Sequence, residues 1–413
     1  MPQTKDFRAK KSLTQGFVYS SWAETNSRVL YLKNCIKLEV NLSLTSTTFF
    51  DVADVWKEIV IATQPDANVG RNGSVLSISL EPPAKGWMIS KPDYLWPRSS
   101  SCCSASLKLV GQKLGVPAIH SIPKTKWGFK NWPIPEPFIL PKKSEEPPPL
   151  NHLLVTASFG RILPANMLKS FQYSRRLNIH PSLLPAYRGA APIQHTILNN
   201  EKTTGVCVIE MLKRVEGIDA GPIWGCRTMV DPSSCSSDIP EYATYEQLRD
   251  ELAIRGGQLL VSVLRDALRG KAIETAQTNA ENVPDAPAIT TKDGLANFHT
   301  MTAEDIYRRF RAISHQKQIF THTSDGKILQ LRRFGVPDLN NLVDINLPPA
   351  PGSAIYSKAN QMILIRCKDQ SILGVTVVKP EGKGDRAAFE FWTGLRAVKE
   401  GSKEVLFGKV SGP

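Results

Sequence analysis

The chain has 413 residues, more than one hydrophobic core usually holds, and this length predicts two domains joined by less compact sequence. Its formal net charge of +13 favours a polyanionic partner, with nucleic acid as the first candidate. No stretch approaches the roughly 18 consecutive apolar residues of a membrane-spanning helix, so the composition is that of a soluble protein without a membrane partner.

The seven cysteines are odd in number and irregularly spaced. They include no C-x-x-C pair and no histidine partner at zinc-finger distance. This pattern favours reduced thiols in a reducing compartment and predicts no structural zinc site.

Residues 1–26 form a basic extension that is rich in Lys, Arg, Ser and Thr. Such a composition resembles an organelle transit peptide more than a secretory signal, which needs a continuous apolar segment. A disordered basic tail is the alternative interpretation.

Residues 27–272 are predicted to form an α/β domain. Its strand-like segments are "RVLYL", "EIVIATQPD", "GVPAIHS", "HLLVTASFG" and "TTGVCVIEML". Amphipathic or capped helical segments stand between and after them, such as "SLKLVGQKL", "RILPANMLKSF", "AAPIQHTILNN" and "TYEQLRDELAIRGGQLLVSVLRDALRG". Alternation of this kind predicts a Rossmann-like, doubly wound and mostly parallel sheet.

A change of composition marks residues 273–290 as a linker. Residues 291–400 then contain one helix, "TAEDIYRRFRAI", and short strand-like runs such as "KILQLRRF", "SAIYS", "QMILIRC" and "ILGVTVVKP". One helix with several short strands predicts a small OB-like β-barrel. Residues 401–413 are predicted to form a tail.

The stretch "LNIHPSLLPAYRGAAPIQ", residues 177–194, carries the first chemical signal. Asn178 and His180 are two apart on a predicted strand, so both side chains point to the same side near its carboxyl end, where ligands of parallel sheets bind. Acyl transfer needs a donor to a developing oxyanion and a group that moves protons, and Asn and His supply these. In "VEGIDAGPIW", flanking glycines allow a tight turn that aims Asp219 inward. Each motif alone is more often structural, whereas the two in this order are much more specific.

Together these motifs resemble the 10-formyltetrahydrofolate-dependent formyltransferase superfamily, and "YRGAAPIQ" resembles its methionyl-tRNA formyltransferase branch. Further similar segments are "ATQPDANVGR", "TASFGRILP", "APAITTKDGLANF" and "VVKPEGKGDRAAFEFWTGLR". The resemblance runs over roughly residues 55–396. The segment "RVLYLKNCIKLEVNLSLTSTTFF" departs from it, because it lacks the glycine that ends the family's first strand.

The resemblance implies that Asn178, His180 and Asp219 are catalytic. The α-amine of initiator methionyl-tRNA would attack the formyl carbon of the co-substrate 10-formyltetrahydrofolate, while Asn178 and His180 stabilise the oxyanion. Asp219 would either orient His180 or take the proton. No metal is implied.

Other residues are assigned to binding by the same resemblance. Folate contacts are expected at Ser182, Leu183, Leu184, Pro185, Ala157, Phe159 and Gly160. Contacts to tRNA are expected at Arg71, Arg308, Arg309, Arg311, Lys317, Arg332 and Arg333. A monomer in the mitochondrial matrix is expected. Two alternatives remain, namely formyl transfer to a small amine such as an amino sugar or purine precursor, and a catalytically dead tRNA-binding paralogue.

Overall fold

The structure is a computed structural model, and its described residues leave gaps along the chain. It describes residues 17–20, 59–63, 67–68, 102–103, 118–121, 132–135, 138–139, 146–157, 162–229, 239–278, 282–335, 337 and 346–408. The chain forms two compact units: the first takes residues 1–180, 207–226 and 253–277, and the second takes residues 181–206, 227–252 and 278–413. The predicted strand "RVLYL" and the predicted helix "SLKLVGQKL" lie outside the described residues.

Among the described residues, those up to Thr228 form nine strands. They are β1 (Phe17–Ser20), β2 (Ile59–Thr63), β3 (Ala67–Asn68), β4 (Cys102–Cys103), β5 (Ala118–Ser121), β6 (Leu153–Ala157), β7 (Arg176–His180), β8 (Gly205–Glu210) and β9 (Ile223–Thr228). Seven of them form one sheet in the order β5-β2-β1-β6-β7-β8-β9, while β3 pairs with β4 separately. Neighbours from β5 to β7 are parallel and β8 runs antiparallel to β7. The strand order reverses at β1, and the sheet contains the predicted parallel strands.

Strand β1 lies between β2 and β6 in the middle of this sheet. Its residues, Phe17–Ser20, belong to the segment that was predicted to be a basic extension. The sheet therefore begins earlier in the chain than the predicted boundary at residue 27. Phe, Val and Tyr favour a strand here, whereas the basic residues that precede them led to the prediction of an extension.

Two strands of this sheet, β6 and β8, are buried along their whole length. Such burial is expected of strands covered on both faces. The helices that the structure describes before the C-terminal part are α1 (Ala165–Leu168), α2 (Pro192–Leu198) and α3 (Tyr245–Leu268). In the first unit, Phe138 and Leu154 pack with Met167, Leu168 and Phe171 into one apolar cluster. Proline opens both short helices, at the N-cap of α1 and at the first position of α2.

The C-terminal part contains helices α4 (Ala303–Ile313), α5 (Ala388–Thr393) and α6 (Arg396–Lys399). Helix α4 begins with a capping box, in which Thr302 and Asp305 satisfy each other's backbone amides. The strands are β10 (Phe320–His322), β11 (Ile328–Gly335), β12 (Ser353–Ser357), β13 (Met362–Arg366), β14 (Ile372–Pro380), β15 (Arg386–Ala387) and β16 (Val405–Leu406).

These strands form an antiparallel sheet in the order β10-β11-β14-β13-β12-β16, with β15 beside β14. The predicted OB-like barrel is not confirmed, since no strand pairing joins β10 to β16 within the described residues. The two ends of the sheet meet only just beyond β16, where the Gly408 amide donates to the His322 carbonyl at 2.8 Å. Strand alternation in sequence predicts a sheet but carries no information on closure.

No helix within the described ranges is both long enough and apolar enough to cross a membrane.

Candidate functional site

Asn178 and His180 lie at the carboxyl end of β7, in the middle of the first sheet. Asn178 is half-buried, and His180 is only 3% exposed. Because they are two residues apart on one strand, their side chains share a face of the sheet. Strand β6 ends beside them, with Thr156 paired to Asn178 in the parallel register.

Asp219 lies on the loop between β8 and β9. Its φ is +54°, a left-handed conformation that Asp tolerates better than most residues, and Gly217 nearby has φ +119°. Gly221 closes the loop against β8, because a Cβ at this position would lie 2.0 Å from the Glu210 carbonyl oxygen. The Glu210 amide also donates to the Pro222 carbonyl at 2.9 Å. The glycines thus shape the turn that carries the carboxylate.

The structure brings the three predicted catalytic side chains together. Asn178 Nδ2 donates to Asp219 Oδ1 at 3.5 Å, and His180 Nδ1 lies 3.6 Å from Asp219 Oδ2. The Asp219 side chain is 16% exposed and that of His180 is 4% exposed, so the cluster stands where the interior meets solvent. A carboxylate at this position can orient the imidazole and accept a proton, which leaves the choice between these two roles open.

Thr156 is a site residue that the sequence interpretation missed. Its side chain is 2% exposed, and its Oγ1 donates to Asn178 Oδ1 at 2.8 Å. The Met211 sulfur lies 3.1 Å from the same hydroxyl, but a thioether is a weak acceptor, so the amide oxygen is the preferred partner. With its oxygen held by Thr156, Asn178 presents its NH2 group toward Asp219. A polar residue at the carboxyl end of a buried strand was the signal that could have revealed it.

Gln277 contacts the loop that carries Asp219. Its Nε2 donates to the carbonyls of Asp219 at 2.8 Å and of Gly221 at 2.7 Å. Two hydrogen bonds between Thr275 and Ile223, both 2.8 Å, dock this segment along β9. Because the contacts are with backbone atoms, sequence alone offered no signal for them.

A second tether anchors the start of the same loop. Tyr173 donates through its hydroxyl to Glu216 Oε1 at 2.9 Å. The Lys213 amide donates to the other Glu216 oxygen at 2.8 Å, and this bond lowers the pKa of Glu216. Hydrogen bonds therefore fix the loop both before Asp219 in the chain, at Glu216, and after it, at Gly221.

The predicted folate segment follows His180 directly in the chain. Ser182 is fully buried and its hydroxyl donates to the Ala186 carbonyl at 2.7 Å, so this hydroxyl serves the loop itself. Leu184 is buried, whereas Leu183 and Pro185 are half-buried, and the peptide bond before Pro185 is cis. Ala157, at the end of β6, is 4% exposed. Phe159 and Gly160 lie outside the described residues.

The three predicted tRNA contacts on α4 are engaged within their own unit. Arg308 pairs with Asp305 at 3.0 Å. Arg309 donates to the Asp293 carbonyl at 2.7 Å. Arg311 is 5% exposed and donates to the Ala243 carbonyl at 2.8 Å, and desolvation lowers the pKa of its guanidinium. This geometry favours a structural role for Arg311 over the predicted contact with tRNA.

The remaining predicted tRNA contacts are more accessible. Arg333 on β11 is exposed, and Lys317 is half-buried. Arg332 bonds to Gln318 and lies 3.4 Å from Asp385. Arg71 lies outside the described residues. A metal centre has no candidate in the described part of the chain, where no three His, Cys, Asp or Glu side chains cluster as ligands would.

Comparison with known proteins shows which family the chain resembles. A model described as "Formyl transferase" matches residues 148–264, and one described as "Formyl transferase, C-terminal domain" matches residues 288–396. The mitochondrial methionyl-tRNA formyltransferase of Bos taurus is 35% identical over 53% of this chain and 53% of its own length. The human mitochondrial enzyme is 32% identical over 52% of this chain and 53% of its own length. The chain thus spans about half the length of these relatives.

A bacterial relative is covered more completely. The methionyl-tRNA formyltransferase of Streptococcus uberis is 31% identical over 60% of this chain and 72% of its own length. Among solved structures, an N-formyltransferase from Helicobacter canadensis matches 88% of this chain and 98% of its own, at 15% identity and a TM-score of 0.47. With both formyl transferase domains matched in order and this bacterial relative covered over most of its length, the chain belongs to the methionyl-tRNA formyltransferase family.

Proposed function

We propose that the protein transfers the formyl group of 10-formyltetrahydrofolate to the α-amino group of initiator methionyl-tRNA. The observation that carries this proposal is the cluster of Asn178, His180 and Asp219 at the carboxyl end of a parallel sheet. Members of the family to which the chain belongs are named for this reaction. The expected product is formylmethionyl-tRNA, which starts translation.

Each residue of the cluster has a distinct proposed task. The NH2 group of Asn178 donates to the formyl oxygen as negative charge develops on it, and His180 supplies the second stabilising contact. Asp219 holds Nδ1 of His180, or receives the amine proton through it. Burial of His180 strengthens both interactions, since water competes less for the charges.

The co-substrate supplies an activated formyl group, and the chain has to bind and orient it. We assign that task to Ser182, Leu183, Leu184 and Pro185 and to the end of β6 at Ala157, with Phe159 and Gly160 as further proposed contacts. Apolar side chains and a shaped backbone, more than charged groups, suit an aromatic pterin ring. The hydroxyl of Ser182 acts through the loop that it closes.

For tRNA, we propose phosphate contacts by Lys317, Arg332 and Arg333 in the C-terminal part, together with Arg71. Neutralising phosphates gives affinity that falls with salt, without selecting a sequence. Arg308 and Arg309 can contribute positive potential, while Arg308 pairs with Asp305 within α4 and Arg309 ties α4 to the Asp293 carbonyl. The matrix of the mitochondrion is the proposed location, supported by the basic N-terminal composition and by the mitochondrial relatives. A monomeric state is proposed with it.

The test measures transfer of labelled formyl from 10-formyltetrahydrofolate to charged initiator methionyl-tRNA by the purified chain. Asn178→Ala and His180→Ala should each lower turnover by about 100- to 1,000-fold, the usual effect of losing an oxyanion donor. His299→Ala, at an exposed histidine of the C-terminal part, serves as the matched control and should retain full activity.

The transfer assay, repeated with other amines and combined with a tRNA-binding measurement, distinguishes the alternative functions. Transfer to an amino sugar or a purine-precursor amine, without transfer to methionyl-tRNA, would replace the proposed substrate. Binding of tRNA by a folded chain that transfers no formyl group to any amine would identify a dead paralogue. Full activity of the Asn178→Ala variant would refute the assigned site.

A further inference from the structure

Two cysteines outside the proposed catalytic cluster lie side by side on neighbouring strands. Cys207 is fully buried on β8, and Cys226 is exposed on β9. The two Sγ atoms are 3.1 Å apart, with the Cys207 thiol donating to the Cys226 sulfur. A disulfide needs about 2.05 Å between the sulfurs, so each atom need move only about half an ångström.

Cys226 has the features of an attacking thiol. It is accessible to solvent, and the hydrogen bond from Cys207 lowers its pKa, so more of it is thiolate at neutral pH. Cys367 provides the contrast. It is fully buried, and burial raises the pKa of its thiol to about 12.

We propose that Cys207 and Cys226 are a redox modification site, at which hydrogen peroxide or an organic hydroperoxide forms a reversible intramolecular disulfide. The Cys226 thiolate attacks the terminal peroxide oxygen and the O–O bond breaks, which gives a sulfenic acid. The leaving oxygen takes up a proton and departs as water from hydrogen peroxide or as an alcohol from an organic hydroperoxide. The Cys207 sulfur then attacks the sulfenic sulfur, the S–O bond breaks, and water leaves with the Cys207 proton. The two sulfurs together lose two electrons, which reduce one peroxide.

The cross-link would form next to the proposed catalytic strand. Cys207 pairs directly with His180 in the antiparallel register of β7 and β8, so the two side chains share one face of the sheet. A disulfide would shift Cys207 toward β9, and this shift would displace His180, which is paired with Cys207. A misplacement on the ångström scale can cost up to about 100-fold in rate, so we expect turnover to fall by about tenfold in the oxidised chain. This consequence rests on the proposed function, whereas disulfide formation does not.

The first experiment detects the bond itself. The purified chain is reduced, treated with a slight excess of hydrogen peroxide, alkylated with N-ethylmaleimide and digested with trypsin without reductant. Trypsin releases Cys207 in the peptide 203–213 and Cys226 in the peptide 215–227, with one cysteine in each. The expected product is these two peptides joined, lacking both thiol hydrogens and separated by dithiothreitol.

Three variants control the experiment. Cys226→Ser, at an exposed position, should abolish the linked pair, and Cys207→Ala should leave a sulfenic acid at Cys226 that dimedone traps. Cys367→Ala is the matched control and should still form the pair. Peptides that both carry maleimide after peroxide treatment, Cys226 oxidised beyond sulfenic acid, or Cys226 joined to another cysteine would each overturn the proposal.

The second experiment measures formyl transfer before oxidation, after oxidation and after dithiothreitol. Loss and recovery of activity in the wild type, with no response in Cys226→Ser, would link the bond to His180. A quantitative disulfide with unchanged transfer would refute the effect on His180. A reduced chain that transfers no formyl group would instead count against the proposed function, and the peptide result would still decide the disulfide.

Discussion

The hydrogen bond from Thr156 to Asn178 makes a quantitative prediction about catalysis. Valine matches threonine in shape, so Thr156→Val removes the hydroxyl without opening a cavity at this buried position. The 2.8 Å bond to Asn178 Oδ1 is then lost, and the amide can turn away from Asp219. The substitution therefore perturbs the orientation of the proposed oxyanion donor and little else.

The expected size follows from one neutral hydrogen bond, which contributes about 0.5–1.5 kcal/mol. At about 1.4 kcal/mol for each tenfold change, kcat should fall by about 2- to 13-fold. The KM for each substrate should change little, because the bond orients a donor that acts in the transition state. Steady-state formyl transfer, measured with both substrates varied, gives the two parameters separately.

Thr156→Ser is the matched control, since it keeps the hydroxyl and loses only a methyl group. It should retain more activity than Thr156→Val even though it packs less well. Thermal unfolding of both variants separates loss of fold from loss of orientation. Equal kcat values for wild type and Thr156→Val, with both proteins folded, would refute a positioning role for this residue.

Four further predictions concern the Asp219 loop and the C-terminal part. Gly221→Ala should prevent the Asp219 loop from packing against β8, because the new methyl group would collide with the Glu210 carbonyl. Circular dichroism should show that the variant is folded, and the transfer assay should show little formyl transfer. Gln277→Leu removes two hydrogen bonds to the Asp219 loop and should lower kcat more than it changes the melting temperature; the reverse order would assign Gln277 to stability alone. Arg311→Met should affect stability, whereas Arg333→Ala should affect tRNA binding. The first removes the hydrogen bond from a buried guanidinium to the Ala243 carbonyl and should lower the free energy of unfolding by about 1.5–3 kcal/mol, measured in urea. The second should leave unfolding unchanged while it weakens tRNA binding and reduces its salt dependence by about one phosphate contact.

The sequence by itself determined most of the local structure and the identity of the proposed cluster. Apolar runs such as β6 and β8 are strands because their residues are strand formers that need burial on both faces. Asn178 and His180 were recognisable because a period of two on a strand fixes which side chains share a face. Asp219 was recognisable because its flanking glycines permit a turn that other residues would strain.

Tertiary structure alone decided which groups these side chains meet. Thr156 and Gln277 reach the cluster from positions 22 and 58 residues away from their partners. The place of Thr156 at the end of a buried strand marks it as a candidate, but only the folded chain decides which groups the two side chains bond to. The central place of β1 likewise depends on pairing with β2 and β6, and the open path of the C-terminal sheet depends on which edges meet. Arg311 was predicted to bind tRNA from the family resemblance, but its burial and its hydrogen bond to the Ala243 carbonyl depend on packing. Composition reports which groups are available, whereas contacts between distant residues form only when the whole chain is compact.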